Sequence, residues 1–124
     1  LSRGCLDVFQ PDCVCSMGIG GLKELAVQVV QAGKIFTPHT WGNGIGVLAN
    51  AHLTAGTVGT AGAHYLEYPL DGPEWSLERR DYPLLAPVRV DAEGYINLSD
   101  APGLGIELNE DVLRRTQSRV ATFA

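Results

Sequence analysis

The sequence predicts an α/β fold in which short strands and helices alternate as parallel βα units. Strand-like runs recur at nearly constant spacing through the first half of the chain, and helical stretches fill the intervals between them. Strands that alternate with helices in this way are typical of parallel sheets, because each helix returns the chain to the start of the next strand.

Three strand-like runs define the repeat. Residues 8–12 (VFQPD) and residues 35–39 (IFTPH) share a β-branched residue, a Phe, a polar residue, a Pro and a final ionisable residue. A third run, residues 63–69, also has an ionisable residue near its end. The ionisable positions follow one another at intervals of 27 and 28 residues: Asp12, His39 and Glu67.

Helices are predicted in both intervals. Residues 22–32 place apolar side chains three and four positions apart, which forms one continuous stripe on a helix. Gly33 follows where a glycine commonly ends a helix. Residues 45–55 are small and apolar with weaker periodicity, and Gly56 is expected to close this second helix.

The composition changes in the second half, so we divide the chain into residues 1–70, which hold the βα units, and residues 71–124, a C-terminal tail. The tail begins with a long loop rich in Pro and charge. A hairpin is predicted over residues 88–98 and a short helix over residues 110–118, with Asn109 as its N-cap. We expect this tail to pack against another part of the protein.

Charge and hydropathy exclude several partners. The net charge is −5 and no basic stripe is visible, so a nucleic-acid partner is not expected. No run approaches the roughly 18 consecutive apolar residues that a membrane span requires. The chain begins with Leu1 rather than Met, which suggests a piece of a longer protein or a processed product. We expect a cytoplasmic location.

The cysteines fit that location, since an odd number of three suits a reducing compartment better than a disulfide framework. Cys5, Cys13 and Cys15 could be imagined with His39 as a zinc site. Their spacing lacks the second ligand pair of a zinc finger, so we expect buried free thiols and assign no metal ligand in this chain.

The repeat brings ionisable residues to the same edge of the predicted sheet. Adjacent strands lie about 4.8 Å apart, so Asp12, His39 and Glu67 are expected to be neighbours. A carboxylate can orient an imidazole through one ring nitrogen and leave the other free as an acid or base. Taken singly, Asp12 could cap a turn and His39 could be structural. Their matched positions favour a catalytic pair.

Several motifs, in this order, resemble the mandelate racemase/muconate lactonizing enzyme group of the enolase superfamily. They are residues 10–12 (QPD), 38–39 (PH), 66–68 (LEY) and 102–107 (PGLGIE). The resemblance implies the C-terminal part of a modified (β/α)7β TIM-like barrel. About three βα units would belong to the barrel, and the tail would return to an α+β capping domain.

The same resemblance implies an enzyme that uses Mg²⁺ and abstracts the proton α to the carboxylate of a small-molecule substrate. His39 matches the acid/base, Asp12 the residue that orients it, and Glu67 the group that hydrogen-bonds the substrate carboxylate. The Mg²⁺ ligands would lie outside this chain, and the full-length protein would form a homo-oligomer. We expect an acid-sugar dehydratase. A racemase or epimerase of the same group, or a truncated chain without catalytic activity, are the alternatives.

Overall fold

Two short parallel strands and the helices that follow them form the centre of the fold. The computed structural model describes residues 1–57, 65–70, 72 and 75–116. Its elements in chain order are β1 (Val8–Phe9), α1 (Gly18–Gln31), β2 (Ile35–Phe36), α2 (Gly44–Ala55), α3 (Leu77–Arg80) and α4 (Glu110–Thr116). In the described part of the chain, no helix is long and apolar enough to span a membrane.

The pairing of β1 with β2 confirms the predicted parallel βα arrangement. Val8 pairs with Ile35 and Phe9 with Phe36, in parallel register. The two partners in each pair are 27 positions apart, which is the interval of the sequence repeat. Equivalent positions of the first two units therefore lie side by side across the sheet.

The first helix begins earlier than predicted and ends as predicted. α1 starts at Gly18 rather than residue 22. At its C-terminus Gly33 adopts a φ of 71°, and its amide donates to the Val30 carbonyl at 2.9 Å. The Lys34 amide donates to the Val29 carbonyl at 3.1 Å, which completes a Schellman motif. This turn directs the chain into β2.

The second helix starts at a capped and crowded N-terminus. The Asn43 side chain accepts hydrogen bonds from two backbone amides in the first turn of α2. A Cβ atom on Gly44 would lie 2.7 Å from an Asp81 carboxylate oxygen and 2.8 Å from a Leu84 methyl group, so a glycine is required there. Gly56 is the C-cap, as predicted.

The described residues form two buried apolar clusters, and α2 contributes to both. The first cluster contains Cys13, Leu22, Ala26, Val29, Phe36, Ala49 and Leu53. The second contains Val47, Leu48, Leu84 and Val88. Because α2 is buried on two sides, it has no single apolar stripe, which explains its weak periodicity in the sequence.

The third predicted strand is not formed in the described residues 65–70. This run is instead held beside the end of β2 by hydroxyl groups. Thr37 Oγ1 donates to the Tyr65 carbonyl at 2.6 Å, and Thr40 Oγ1 donates to the Glu67 carbonyl. The first two residues of the predicted run lie outside the described part of the chain.

The tail differs from its prediction in two places. α3 lies within the predicted loop. The predicted hairpin over residues 88–98 keeps its turn, since the Asp91 amide donates to the Tyr95 carbonyl at 2.9 Å, but the residues beside this turn form no strand. Asp91 also accepts hydrogen bonds from three nitrogens within the same turn. These local bonds close the turn without strand pairing.

Antiparallel contact in the tail occurs elsewhere, between Leu84 and Leu108. It places the start of α4 beside the segment that packs on α2. Asn109 caps this helix, as predicted, because its side chain accepts a hydrogen bond from the Val112 amide at 3.1 Å. The division at residue 70 itself stays a prediction.

Candidate active site

The three ionisable residues of the repeat lie together. His39 Nδ1 is 3.6 Å from Asp12 Oδ2, and His39 Nε2 is 3.6 Å from Glu67 Oε2. The imidazole therefore lies between two carboxylates. Both distances are longer than a hydrogen bond, and catalytic contacts in substrate-free sites are often long and tighten when substrate binds.

The register of the sheet explains why the first two residues meet. Asp12 follows Phe9, the last residue of β1, by three positions, and His39 follows Phe36, the last residue of β2, by the same interval. Since Phe9 and Phe36 are partners in the parallel pair, the segments that follow them leave the sheet at the same edge. In (β/α) barrels this edge holds the active site.

Asp12 is buried and held by hydrogen bonds. Its Oδ1 accepts from the Val14 amide and from Asn50 Nδ2, each at 2.9 Å. Burial favours the neutral acid, but these donors, with the Trp41 amide and His39, favour the carboxylate more strongly. The pKa of Asp12 is consequently lowered from its ordinary value. Asp12 can therefore stabilise positive charge on the neighbouring ring.

Glu67 is positioned by the residue that follows His39. The Thr40 amide donates to Glu67 Oε2 at 3.0 Å, and Thr40 is almost completely buried. The side chains of His39 and Glu67 are 43% and 42% exposed, whereas that of Asp12 is 6% exposed. The imidazole and Glu67 are therefore accessible at the surface of this chain, while Asp12 faces the ring from the interior.

Sequence reasoning missed Asn50 and Thr40. Asn50 is a single amide within a helix of small and apolar residues, and that contrast is a signal that could have identified it. Thr40 offers no comparable signal, because its role depends on the path of a distant segment.

Trp41 and His52 contact the tail. Trp41 stacks on Trp75 with ring centroids 5.8 Å apart and planes 8° from parallel. His52 Nε2 lies 3.3 Å from the Leu104 carbonyl, away from the Asp12–His39 pair. His64 is outside the described residues.

The described residues do not fit a Mg²⁺ site. Mg²⁺ needs oxygen ligands that converge at 2.0–2.1 Å. The carboxylates of Asp12 and Glu67 instead face different nitrogens of the same imidazole. Over the described ranges, no group of three or more His, Cys, Asp or Glu side chains could hold a metal ion. We therefore assign no chemical step of these residues to a metal.

The expectation that the three free thiols are buried is wrong for two of them. Cys13 is buried, but Cys5 and Cys15 are exposed, and all three are free. Cys13 follows Asp12 directly in the first apolar cluster. Burial is the main cause that raises the pKa of the Cys13 thiol, and the negative charge of Asp12 raises it further.

We expect iodoacetamide at neutral pH to alkylate Cys5 and Cys15 in the folded protein and to leave Cys13 unmodified until denaturant is added. The physical reason is that the thiolate is the reactive species, and Cys13 is both inaccessible and protonated. Peptide mapping by mass spectrometry measures each site separately, and Cys13→Ala is the control. Alkylation of Cys13 at the rate of Cys15 would contradict its burial.

Comparison with known proteins agrees with the motifs and the fold. The family model described as enolase C-terminal domain-like matches residues 1–112. The chain is 30% identical over 115 residues to the D-galactarolactone cycloisomerase of Agrobacterium fabrum, an alignment that covers 91% of this chain and 30% of that protein. The chain thus spans less than a third of the length of this relative. It belongs to the mandelate racemase/muconate lactonizing enzyme group of the enolase superfamily.

Proposed function

We propose that Asp12, His39 and Glu67 form the acid/base side of an active site that removes the proton α to the carboxylate of a sugar acid. The observation that supports this most directly is the position of His39 between two carboxylates, beyond the ends of paired parallel strands. We also propose that the βα units are the last units of a modified (β/α)7β barrel. The Mg²⁺ that the family uses would then be held by residues outside this chain.

The proposed reaction is dehydration. His39 accepts the α-proton, and the electron pair of the broken C–H bond moves into the substrate carboxylate. The C–O bond to the β-hydroxyl then breaks as His39 returns the proton to the departing oxygen, which leaves as water. The resulting enol tautomerises to a 2-keto acid. One imidazole can perform both transfers, and Asp12 stabilises it in its charged state.

Glu67 has a different proposed role, which is to hydrogen-bond the substrate carboxylate through one proton held between the two carboxyl groups. Its Oε2 is the oxygen that lies 3.6 Å from His39 Nε2, whereas Asp12 faces the other ring nitrogen, Nδ1. A substrate held there would present its α-carbon to Nε2. The Thr40 amide fixes the Glu67 side chain for this contact.

The cycloisomerase relative supports sugar acids as the substrate class, since a galactarolactone is the lactone of a sugar acid. Its name also favours a second candidate, an isomerase of the same group. In a racemase or epimerase, His39 would act on one face of the α-carbon and a base from outside this chain on the other. Homo-oligomeric assembly and a cytoplasmic location stay predictions.

The test uses the full-length protein that contains this chain, incubated in D₂O with Mg²⁺ and a panel of sugar acids and their lactones. NMR measures deuterium at the α-carbon, and a carbonyl reagent measures 2-keto acid. Keto acid formation supports dehydration. Exchange with inversion at the α-carbon and no keto acid supports the racemase or epimerase. If no member of the panel exchanges its α-proton, the proposed function is wrong.

A further inference from the structure

Asn50 is a fully buried amide in the middle of α2, with 0% exposure. Its Nδ2 donates to Asp12 Oδ1 at 2.9 Å and to the Gly46 carbonyl at 3.2 Å, while its Oδ1 accepts from the Cys13 amide at 3.1 Å. A flipped amide would place its oxygen against the Asp12 carboxylate and its NH₂ group against the Cys13 N–H. The bonding partners therefore determine one orientation.

Because of this amide, the two Asp12 oxygens have different partners. Oδ1 receives hydrogen bonds from Asn50 and from the Val14 amide, whereas Oδ2 faces His39 Nδ1. With Oδ1 held, the carboxylate cannot rotate about its Cβ–Cγ bond without losing two hydrogen bonds. Asn50 also binds the backbone of the next residue, Cys13, so it restrains both the side chain and its main-chain support.

The chemistry of an amide suits this position. An amide donates a hydrogen bond to a carboxylate without adding charge, so Asp12 keeps its full negative charge for His39. A second carboxylate at the same distance could not stay ionised beside Asp12, and one proton would be shared between them. A lysine would neutralise Asp12 and compete with the imidazole.

We propose that Asn50 is a positioning residue, which fixes the Asp12 carboxylate so that Oδ2 orients the His39 ring for proton transfer. The proposal rests on the proposed function for the role of His39. The contact between Asn50 and Asp12 does not depend on that function, so it can be tested separately. Asn50 itself lies in the interior, on the side of Asp12 away from His39.

Two variants of the full-length protein test this role. Asn50→Asp keeps the size and the acceptor for Cys13 but replaces the donor, and Asn50→Leu removes the hydrogen-bonding atoms. We expect kcat for α-proton exchange to fall about 10–100-fold, the range typical of groups that orient functional ligands, while KM changes less than about threefold. Thr54→Val is the matched control, since within the described residues Thr54 Oγ1 bonds only the backbone carbonyl of Asn50. It should leave both constants unchanged.

The second readout is the titration of Asp12, followed by NMR of ¹³C-labelled aspartate and assigned by difference from Asp12→Asn. The Asn50 donor lowers the pKa of Asp12, so its loss should move the titration midpoint and the acidic limb of the kcat profile to higher pH. In Asn50→Leu, which adds no charge beside Asp12, a merely structural role would lower the melting temperature without moving this midpoint.

The outcomes separate the two proposals. An unchanged Asp12 midpoint in Asn50→Asp overturns the role of Asn50, even if Asn50→Leu fails to fold. If the midpoint moves in the variant and the wild-type protein itself exchanges no α-proton, the Asn50–Asp12 contact is supported and the proposed function is wrong. A moved midpoint with wild-type kcat overturns the positioning role.

Discussion

Replacing His39 with Asn is expected to reduce α-proton exchange by about 10²–10⁴-fold, the usual contribution of a general acid or base. Asn has a similar size and can hydrogen-bond Asp12, but it cannot accept and return a proton. Substrate should still bind, because Glu67 and its Thr40 contact are unchanged. The expected pattern is therefore a large loss of kcat with little change in KM. Exchange of a deuterated substrate in H₂O measures it directly.

His52→Asn provides a control with the same chemical change. His52 contacts the Leu104 carbonyl from α2 and does not contact Asp12 or Glu67, so its replacement should leave exchange at the wild-type rate. The two variants together distinguish loss of a specific base from a general effect of losing an imidazole. If His39→Asn still exchanged the α-proton at the wild-type rate with every substrate, His39 would not be the base. Loss on only one face of the α-carbon would indicate a racemase or epimerase.

The arrangement of Asp12 and His39 was predictable because it depends on repetition. Parallel strands place equivalent positions of successive units side by side, so an interval of 27 residues in the sequence becomes the 27-residue register of the sheet. The end of the first helix was predictable for a local reason. Gly33 adopts a positive φ that other residues rarely adopt, and two hydrogen bonds of the Schellman motif follow from it.

Contacts between distant segments were not predictable in the same way. Asn50 reaches Asp12 across 38 positions and Thr40 reaches Glu67 across 27, and neither contact leaves a periodic pattern. The third run shows how side chains can override a strand preference. Its described residues are held by Thr37 and Thr40 hydroxyls rather than by a backbone ladder.

The tail contains the largest unpredicted feature, a buried ion pair. Arg80 and Asp81 are 1% and 2% exposed, within the stretch that the sequence predicts as a long loop rich in Pro and charge. Arg80 Nε and Nη2 donate to the two Asp81 oxygens at 2.6 and 2.7 Å. The guanidinium also donates to the Pro69 and Val88 carbonyls, each at 2.9 Å, and stacks 4.5 Å from the centre of the Tyr68 ring.

This ion pair contacts three segments that also share the second apolar cluster. Asp81 also accepts a hydrogen bond from the Val88 amide at 2.7 Å and lies against Gly44 at the start of α2. Tyr68 and Pro69 directly follow Glu67, so Arg80 restrains the segment that holds the proposed substrate contact. The pair therefore connects the stability of the tail with the geometry of the candidate active site.

Arg80→Met in the full-length protein is expected to lower the free energy of unfolding by about 3–5 kcal/mol, because it leaves the Asp81 carboxylate buried without its partner. Met matches the arginine stem in length, so the change removes charge and hydrogen bonds with little loss of volume. Chemical denaturation followed by circular dichroism measures the effect. Arg80→Lys keeps the charge but loses the paired donors. Its free energy of unfolding should lie between those of Arg80→Met and the wild type.

The double variant Arg80→Met/Asp81→Asn tests whether the cost arises from the pair. Removing both charges avoids an uncompensated carboxylate, so the double variant should lose less stability than the sum of the two single variants, with a coupling of about 0.5–3 kcal/mol. Arg89→Met is the matched control, since Arg89 contacts Glu78 at 3.2 Å on the surface. Solvent and salt screen that pair, so its loss should leave stability unchanged. Equal effects of Arg80→Met and Arg89→Met would mean that burial of the Arg80–Asp81 pair does not determine the stability of the tail.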